Sequence, residues 1–149
     1  MLIDYLILIG LAMAPISEAR GAILYGIGVG LNPVLTFVLS TIANILVLPV
    51  VFFVLRHAHL RDFLFKIFRK TAEKHMHKNK MLYIYEELAL FAFVAVPLPI
   101  TGGYTAVLIS ELLGWDWRKS FLAISAGITA AAMIVLLAAE GVIHLVGLI

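Results

Sequence analysis

The sequence predicts an all-α integral membrane protein: two re-entrant helical hairpins and two long spanning helices in an inverted repeat, with a cytoplasmic amphipathic helix. Three observations lead there. Of 149 residues, 63% are hydrophobic and only 13% charged, with a mean hydropathy of +1.08. A soluble domain carries roughly 45–50% apolar and about 25% charged residues. The charges are gathered into short stretches between uncharged runs. Two of those runs are broken by proline and glycine too densely for one continuous helix.

The elements follow in chain order. Residues 5–17 are uncharged, and then Glu18 and Arg20 interrupt beside Pro15 and Gly21. No charge follows until Arg56, and Asn32-Pro33 divides that stretch. A spanning helix needs about 20 apolar residues, which residues 34–55 and 120–139 supply. Residues 88–110 are equally apolar but contain VPLPITGG, with Pro97, Pro99, Gly102 and Gly103 close together. Proline removes a helix hydrogen bond and clashes with the preceding turn, so this stretch should break. Broken backbone at membrane depth is tolerated only where protein or a wet cavity surrounds it. Residues 1–31 and 81–113 therefore read as re-entrant hairpins with tips PISEARG and PLPITGG; two kinked spans are the plainer alternative. The start of the chain lacks the basic region and A-x-A site of a removable signal peptide.

Between the halves, residues 56–80 hold eight Lys/Arg against Asp62 and Glu73. Leu60, Phe63, Leu64, Ile67 and Phe68 recur at helical spacing, with basic residues on the other side. This predicts an interfacial amphipathic helix on anionic headgroups, facing the cytoplasm by the positive-inside rule. Arg118 and Lys119 join that side only if 88–110 enters and returns. Both termini then lie outside, and the chain is one multi-pass cell-membrane domain over 1–149. Residues 1–55 form one hairpin and span, and residues 81–149 the other. The halves echo one another at an offset of 84: Pro15 and Pro99, Ser17 and Thr101, Ala22 and Ala106, Gly30 and Gly114, Asn32 and Asp116. Inverted repeats with broken helices meeting near the midplane build many secondary transporters.

Ionisable side chains inside a membrane cost roughly 2.5–3.5 kcal/mol and are functional candidates by default. Glu18 and Arg20 lead. Their i,i+2 spacing suits an irregular tip, or a pair in which each reaches the other hairpin. They form a substrate, ion or proton site, or a salt bridge pinning the tip, and the two roles are compatible. Burial and Arg20 would act on the Glu18 proton in opposite senses. Ser17 shares the first tip. Thr101, Gly102 and Gly103 form the second, where a helix start could face an anion or Glu18 itself, or glycine could simply allow close packing. Asn44 lies mid-span and either lines a cavity or bonds a neighbouring helix. Glu140 would sit at the far interface, and Glu86 and Glu87 read as solvated residues at a helix start.

The sequence excludes several classes. With no cysteine, disulfides, zinc-thiolate and iron–sulfur sites are out. His57, His59, His75 and His77 form H-x-H pairs without a supporting carboxylate, so no metal site is expected. The basic loop is explained by the membrane, so no nucleic acid is expected. GIGVG at 26–30 opens no soluble βαβ unit. No nucleophile–base–orienter set appears, so no enzyme, catalytic residue or cofactor is expected.

PISEARGAILYGI paired with VPLPITGGYTAVLI resembles the small multidrug export protein family, itself similar to the wider DedA/VTT superfamily with its two facing hairpins. The resemblance covers about residues 5–140. It implies export of a small or amphiphilic substrate by alternating access, coupled to protons or another ion. The alternative it implies is a DedA-like flippase or scramblase for lipid or lipid carrier. Thr101, Gly102 and Gly103 stand where DedA proteins would carry arginines. Membrane lipids and a small-molecule, ion or lipid substrate are the expected partners. Two hairpins and two spans enclose a pathway thinly, so a homo-oligomer, most simply a dimer, is expected.

Overall fold

The computed structural model describes residues 2–57, 85–98 and 101–147. The predicted amphipathic helix from residue 58 onward and Pro99 lie outside the described residues. Six helices are present among those described: α1 (Leu2–Met13), α2 (Glu18–Gly28), α3 (Pro33–His57), α4 (Glu86–Ala95), α5 (Gly103–Leu113) and α6 (Trp117–Val146).

Among the described residues, only α3 and α6 are long and apolar enough to cross a membrane, over Pro33–Arg56 and Trp117–Val142. At 1.5 Å per residue, 25 and 30 residues reach about 37 and 45 Å, against a hydrocarbon core of about 30 Å. Only 33% and 28% of their apolar windows are buried inside the protein. A helix at the core of a soluble protein would be mostly enclosed. Here Leu46, Val50, Leu122 and Leu137 point outward, as lipid-facing residues do. Pro49 lies inside α3 without ending it; neighbouring helices and local adjustment compensate its missing donor in such settings. The last helix begins at Trp117 rather than Ser120, so Arg118 and Lys119 belong to its first turn and not to a loop.

The four short helices have 10–12 residues, about 15–18 Å each, or half a hydrocarbon core. α1 packs against α2, whereas α4 packs mainly against α6 and only lightly against α5. Gly26 of α2 packs against Leu8 of α1 and Thr36 of α3, and the Asp4 carboxylate faces Tyr25. At the other end of α3, Arg56 pairs with Glu111 of α5 at 3.0 Å, and Lys119 of α6 pairs with Glu87 of α4 at 3.2 Å. Trp117 sits between Arg56 and Arg118, whose guanidinium carbons lie 5.9 and 5.6 Å from its ring. The end of α3, the start of α4, the end of α5 and the start of α6 thus share one end of the bundle. The core between the helices is apolar, centred on Ile23, Leu48, Val94, Val107, Ile124 and Ile128.

The offset of 84 reappears in local structure. α1 starts at residue 2 and α4 at 86; α3 starts at 33 and α6 at 117. Gly30 and Gly114 follow α2 and α5 with φ of 75° and 71°, a left-handed conformation that side chains resist. Asn32 Oδ1 accepts the Leu35 N–H at 3.1 Å, and Asp116 Oδ1 accepts those of Arg118 and Lys119 at 2.8 and 3.3 Å. Both are side-chain caps at the start of a long helix.

The two backbone donors hold the Asp116 carboxyl below its usual range, helped by the charges of Arg118 and Lys119. A depressed folded value gives stability that is full above the unfolded value near 3.9 and lost as pH falls through the folded one. Asp116→Ala should therefore lower the thermal midpoint in detergent modestly at pH 7, and the deficit should shrink below about pH 4. An equal deficit at pH 2.5 would mean that the charge is irrelevant to the cap.

Candidate functional site

The site forms where the two hairpin tips meet. In the first, α1 ends at Met13 and α2 begins at Glu18. The break falls on 14–17, with Pro15 in it. The Glu18 N–H donates to Ala14 O at 3.0 Å, and Glu18 takes a φ of 50°. A side-chain-bearing residue held left-handed costs about 1–2 kcal/mol, and such strain clusters at functional positions. In the second tip, α4 ends at Ala95 and α5 begins at Gly103, with Pro97 in the break. Gly21 does not belong to the break. It lies in the first turn of α2, where a Cβ would come 2.7 Å from Ser17 Cβ; crowding, not helix termination, calls for glycine there.

Glu18 and Arg20 each reach the opposite hairpin. The Glu18 carboxylate, only 6% exposed, lies over Gly102, where a Cβ would be 2.2 Å from Oε1. It faces the Gly103 and Tyr104 N–H groups, the latter at 3.4 Å, at the positive N-terminal end of α5. The Arg20 guanidinium donates to Leu98 O and Val94 O, each at 2.8 Å, and to Thr101 O. These carbonyls lie past or at the last turn of α4, its negative end, where intrahelical partners run out. The acid and the base of E-x-R thus match the two opposite dipole ends of one broken helix pair.

Tyr104 completes the arrangement. Its hydroxyl donates to Met13 O at the end of α1. Residue 104 is the counterpart of Arg20 at the 84-residue offset, so each half caps the first helix of the other. The sequence reading missed Tyr104, although the offset pointed to it.

Ser17 and Thr101 act locally. Ser17 Oγ donates to Leu11 O at 2.5 Å, and Thr101 Oγ1 to Val96 O at 2.6 Å. Both hydroxyls are spent on carbonyls of their own hairpin. Gly103 is buried with α3 and α6 against it; a Cβ would lie 2.9 Å from Ile128 and 3.2 Å from Leu48. Asn44, 1% exposed, sits one turn before Leu48 on α3, and its Oδ1 finds no partner among the described residues. It is not at the cavity wall. Glu86 is buried, not solvated. Beside the tips lies a cavity of about 280 Å³ lined by Pro15, Ser17, Glu18, Arg20, Pro97 and Gly102, among others.

Two apolar helices of spanning length around a polar meeting of helix ends define a helical membrane protein. Residues 18–134 match the family described as "Putative small multi-drug export protein", and the chain belongs to that family. No curated protein and no solved structure matches it.

Proposed function

We propose that the protein is a secondary exporter of small or amphiphilic solutes, working by alternating access, with Glu18 as the proton-carrying group. The observation that carries this is the Glu18 carboxylate: buried, backbone-strained and seated where two broken helices meet beside a cavity. In this reading the hairpins are re-entrant, dip from opposite faces and belong to an inverted repeat. Their half-thickness helices, the shared outer ends and the recurring caps at the 84-residue offset support it. Transport sites at helix ends near the midplane are the pattern such repeats produce.

Alternating access requires the tips to part toward each face in turn. The Arg20–carbonyl and Glu18–amide contacts are then the closed latch. A carboxylate favours contact with the α5 amides; a protonated carboxyl forfeits the charge that favours them. Protonation therefore loosens one side of the latch, and deprotonation restores it. The family description agrees with an exporter. No enzymatic step is assigned to the site.

The test uses purified protein in liposomes loaded with ethidium under an imposed pH gradient. Wild type should release dye in a gradient-dependent manner. Glu18→Gln keeps the shape and fixes the neutral state, so release should lose its dependence on the pH gradient. Gradient-dependent release at the wild-type rate would leave Glu18 as a structural pin only.

A further inference from the structure

The tips lie at mid-depth, and one side of them is open. From the starts of α3 and α6, the 11 residues of α2 and of α5 run back about 16 Å before the breaks. Gly103, at the second tip, accordingly meets Leu48 and Ile128, near the middle of both spans. At that level Ile16 is 97% exposed, Leu98 55% and Val96 50%. Ile16 and Leu98 also line the open-sided cavity beside Glu18. The hydrogen bonds of Arg20 to Leu98 O, of Thr101 to Val96 O and of Tyr104 to Met13 O lie at the surface too.

Such a surface suits neither lipid nor water. Hydrocarbon would accommodate Ile16, Val96 and Leu98 but not the carbonyls and the guanidinium beside them. Water would solvate the polar groups but strand the apolar side chains. A protein surface of the same mixed make-up serves both. The half-buried Arg20 has five N–H donors and commits three of them to carbonyls of the second hairpin. Each carbonyl of the breaks has two lone pairs. Spare donors and acceptors on one patch make it self-complementary, as a two-fold contact between identical chains requires.

We propose that a second copy of this chain covers the open side of the tips about a two-fold axis, with Ile16, Val96 and Leu98 of each copy in the contact. The two cavities beside Glu18 then close into one chamber. A single cavity of about 280 Å³ falls just short of the roughly 300–1,000 Å³ of ligand pockets; two joined lie within that range. The inference rests on the re-entrant placement of the tips but not on Glu18 as a proton carrier. Loss of proton-dependent release would leave the dimer standing, and a single-copy protein would leave the proton test standing.

Benzophenone photochemistry separates the three surroundings, because it joins to whatever C–H group lies against it. In the full chain, p-benzoylphenylalanine takes the place of Ile16 or, as control, of Leu46. Leu46 is also exposed and mid-span, but it is two residues from Leu48 and so about 200° round α3. Each protein is irradiated in phosphatidylethanolamine–phosphatidylglycerol vesicles at low protein density, and the products are weighed. Position 16 should give mainly covalent dimers, and position 46 lipid adducts. Lipid adducts at position 16 overturn the proposal, as does the absence of any adduct there, the mark of a wet vestibule. Dimers formed through position 46 and not through 16 overturn it equally. The unsubstituted chain, ejected from the same vesicles into a native mass spectrometer, should appear as a dimer. A monomer alone overturns the proposal without recourse to any variant.

Discussion

Arg20→Ala is expected to destabilise the protein by about 1.5–3 kcal/mol, the worth of hydrogen bonds from a charged group, because the partly buried Arg20 holds the second tip by its carbonyls. The Val94 and Thr101 carbonyls would lose the donor that Arg20 supplies, and Leu98 O would keep only the Thr101 N–H and hydroxyl, at 3.3 and 3.2 Å. Glu18 would also lose its nearest opposite charge. Arg20→Lys should recover only part of the loss. An ammonium carries the charge but not the planar fork that spans separate carbonyls. Tyr104→Phe removes the reciprocal cap on Met13 and should cost about 1 kcal/mol, as for one neutral hydrogen bond. Thermal unfolding in a single detergent, with the order Ala worse than Lys worse than Phe, is the measurement. A loss below about 1 kcal/mol for Arg20→Ala would show that the cross-hairpin caps do not hold the tips.

Much of this was legible in the sequence because a membrane simplifies the reading. Uncharged runs of spanning length located α3 and the start of α6 to within a few residues, but α6 continues through Glu140 to Val146, seven residues past the run. Proline and glycine located the breaks, since neither can continue a helix cheaply. The isolated Glu18 and Arg20 marked the meeting point because charge inside apolar sequence needs a partner. The echo of Gly30 in Gly114 and of Asn32 in Asp116 proved to be an echo of backbone conformation and cap chemistry. Other roles depended on details that spacing does not carry. Ser17 and Thr101 are polar tip residues in any reading, but only the path of the turn decides that their hydroxyls bend back to Leu11 and Val96. Gly21 is adjacent to a break, yet its lack of a side chain answers to Ser17. Tyr104 carries no charge to single it out, and only the folded path brings its hydroxyl to the Met13 carbonyl. Glu86 looked solvated because helix starts favour carboxylates; its burial comes from tertiary packing.

Gly102→Ala is expected to strike the same centre from the opposite side, and its partner can be identified by coupling. Gly102 has φ −98° and ψ 173°, extended backbone open to alanine, so the substitution brings no intrinsic strain. What it brings is a Cβ at 2.2 Å from Glu18 Oε1 and 2.5 Å from Cδ and Oε2, closer than atoms can stand. Something must move. The α5 start is held by Leu48 and Ile128 against Gly103, so the carboxylate is the part that yields, and it leaves the amides of Gly103 and Tyr104. Overpacking of this kind costs about 1–3 kcal/mol. Proton-dependent dye release should fall with it, because the carboxyl no longer reports the state of the latch. In a Glu18→Ala background the three atoms nearest that methyl are gone, and Gly102→Ala should then cost less. The two changes should thus be non-additive by at least 0.5 kcal/mol, as for residues in direct contact. Additivity within about 0.3–0.5 kcal/mol, the behaviour of independent sites, would place Glu18 away from Gly102 and undo the tip-to-tip site on which the exporter reading depends.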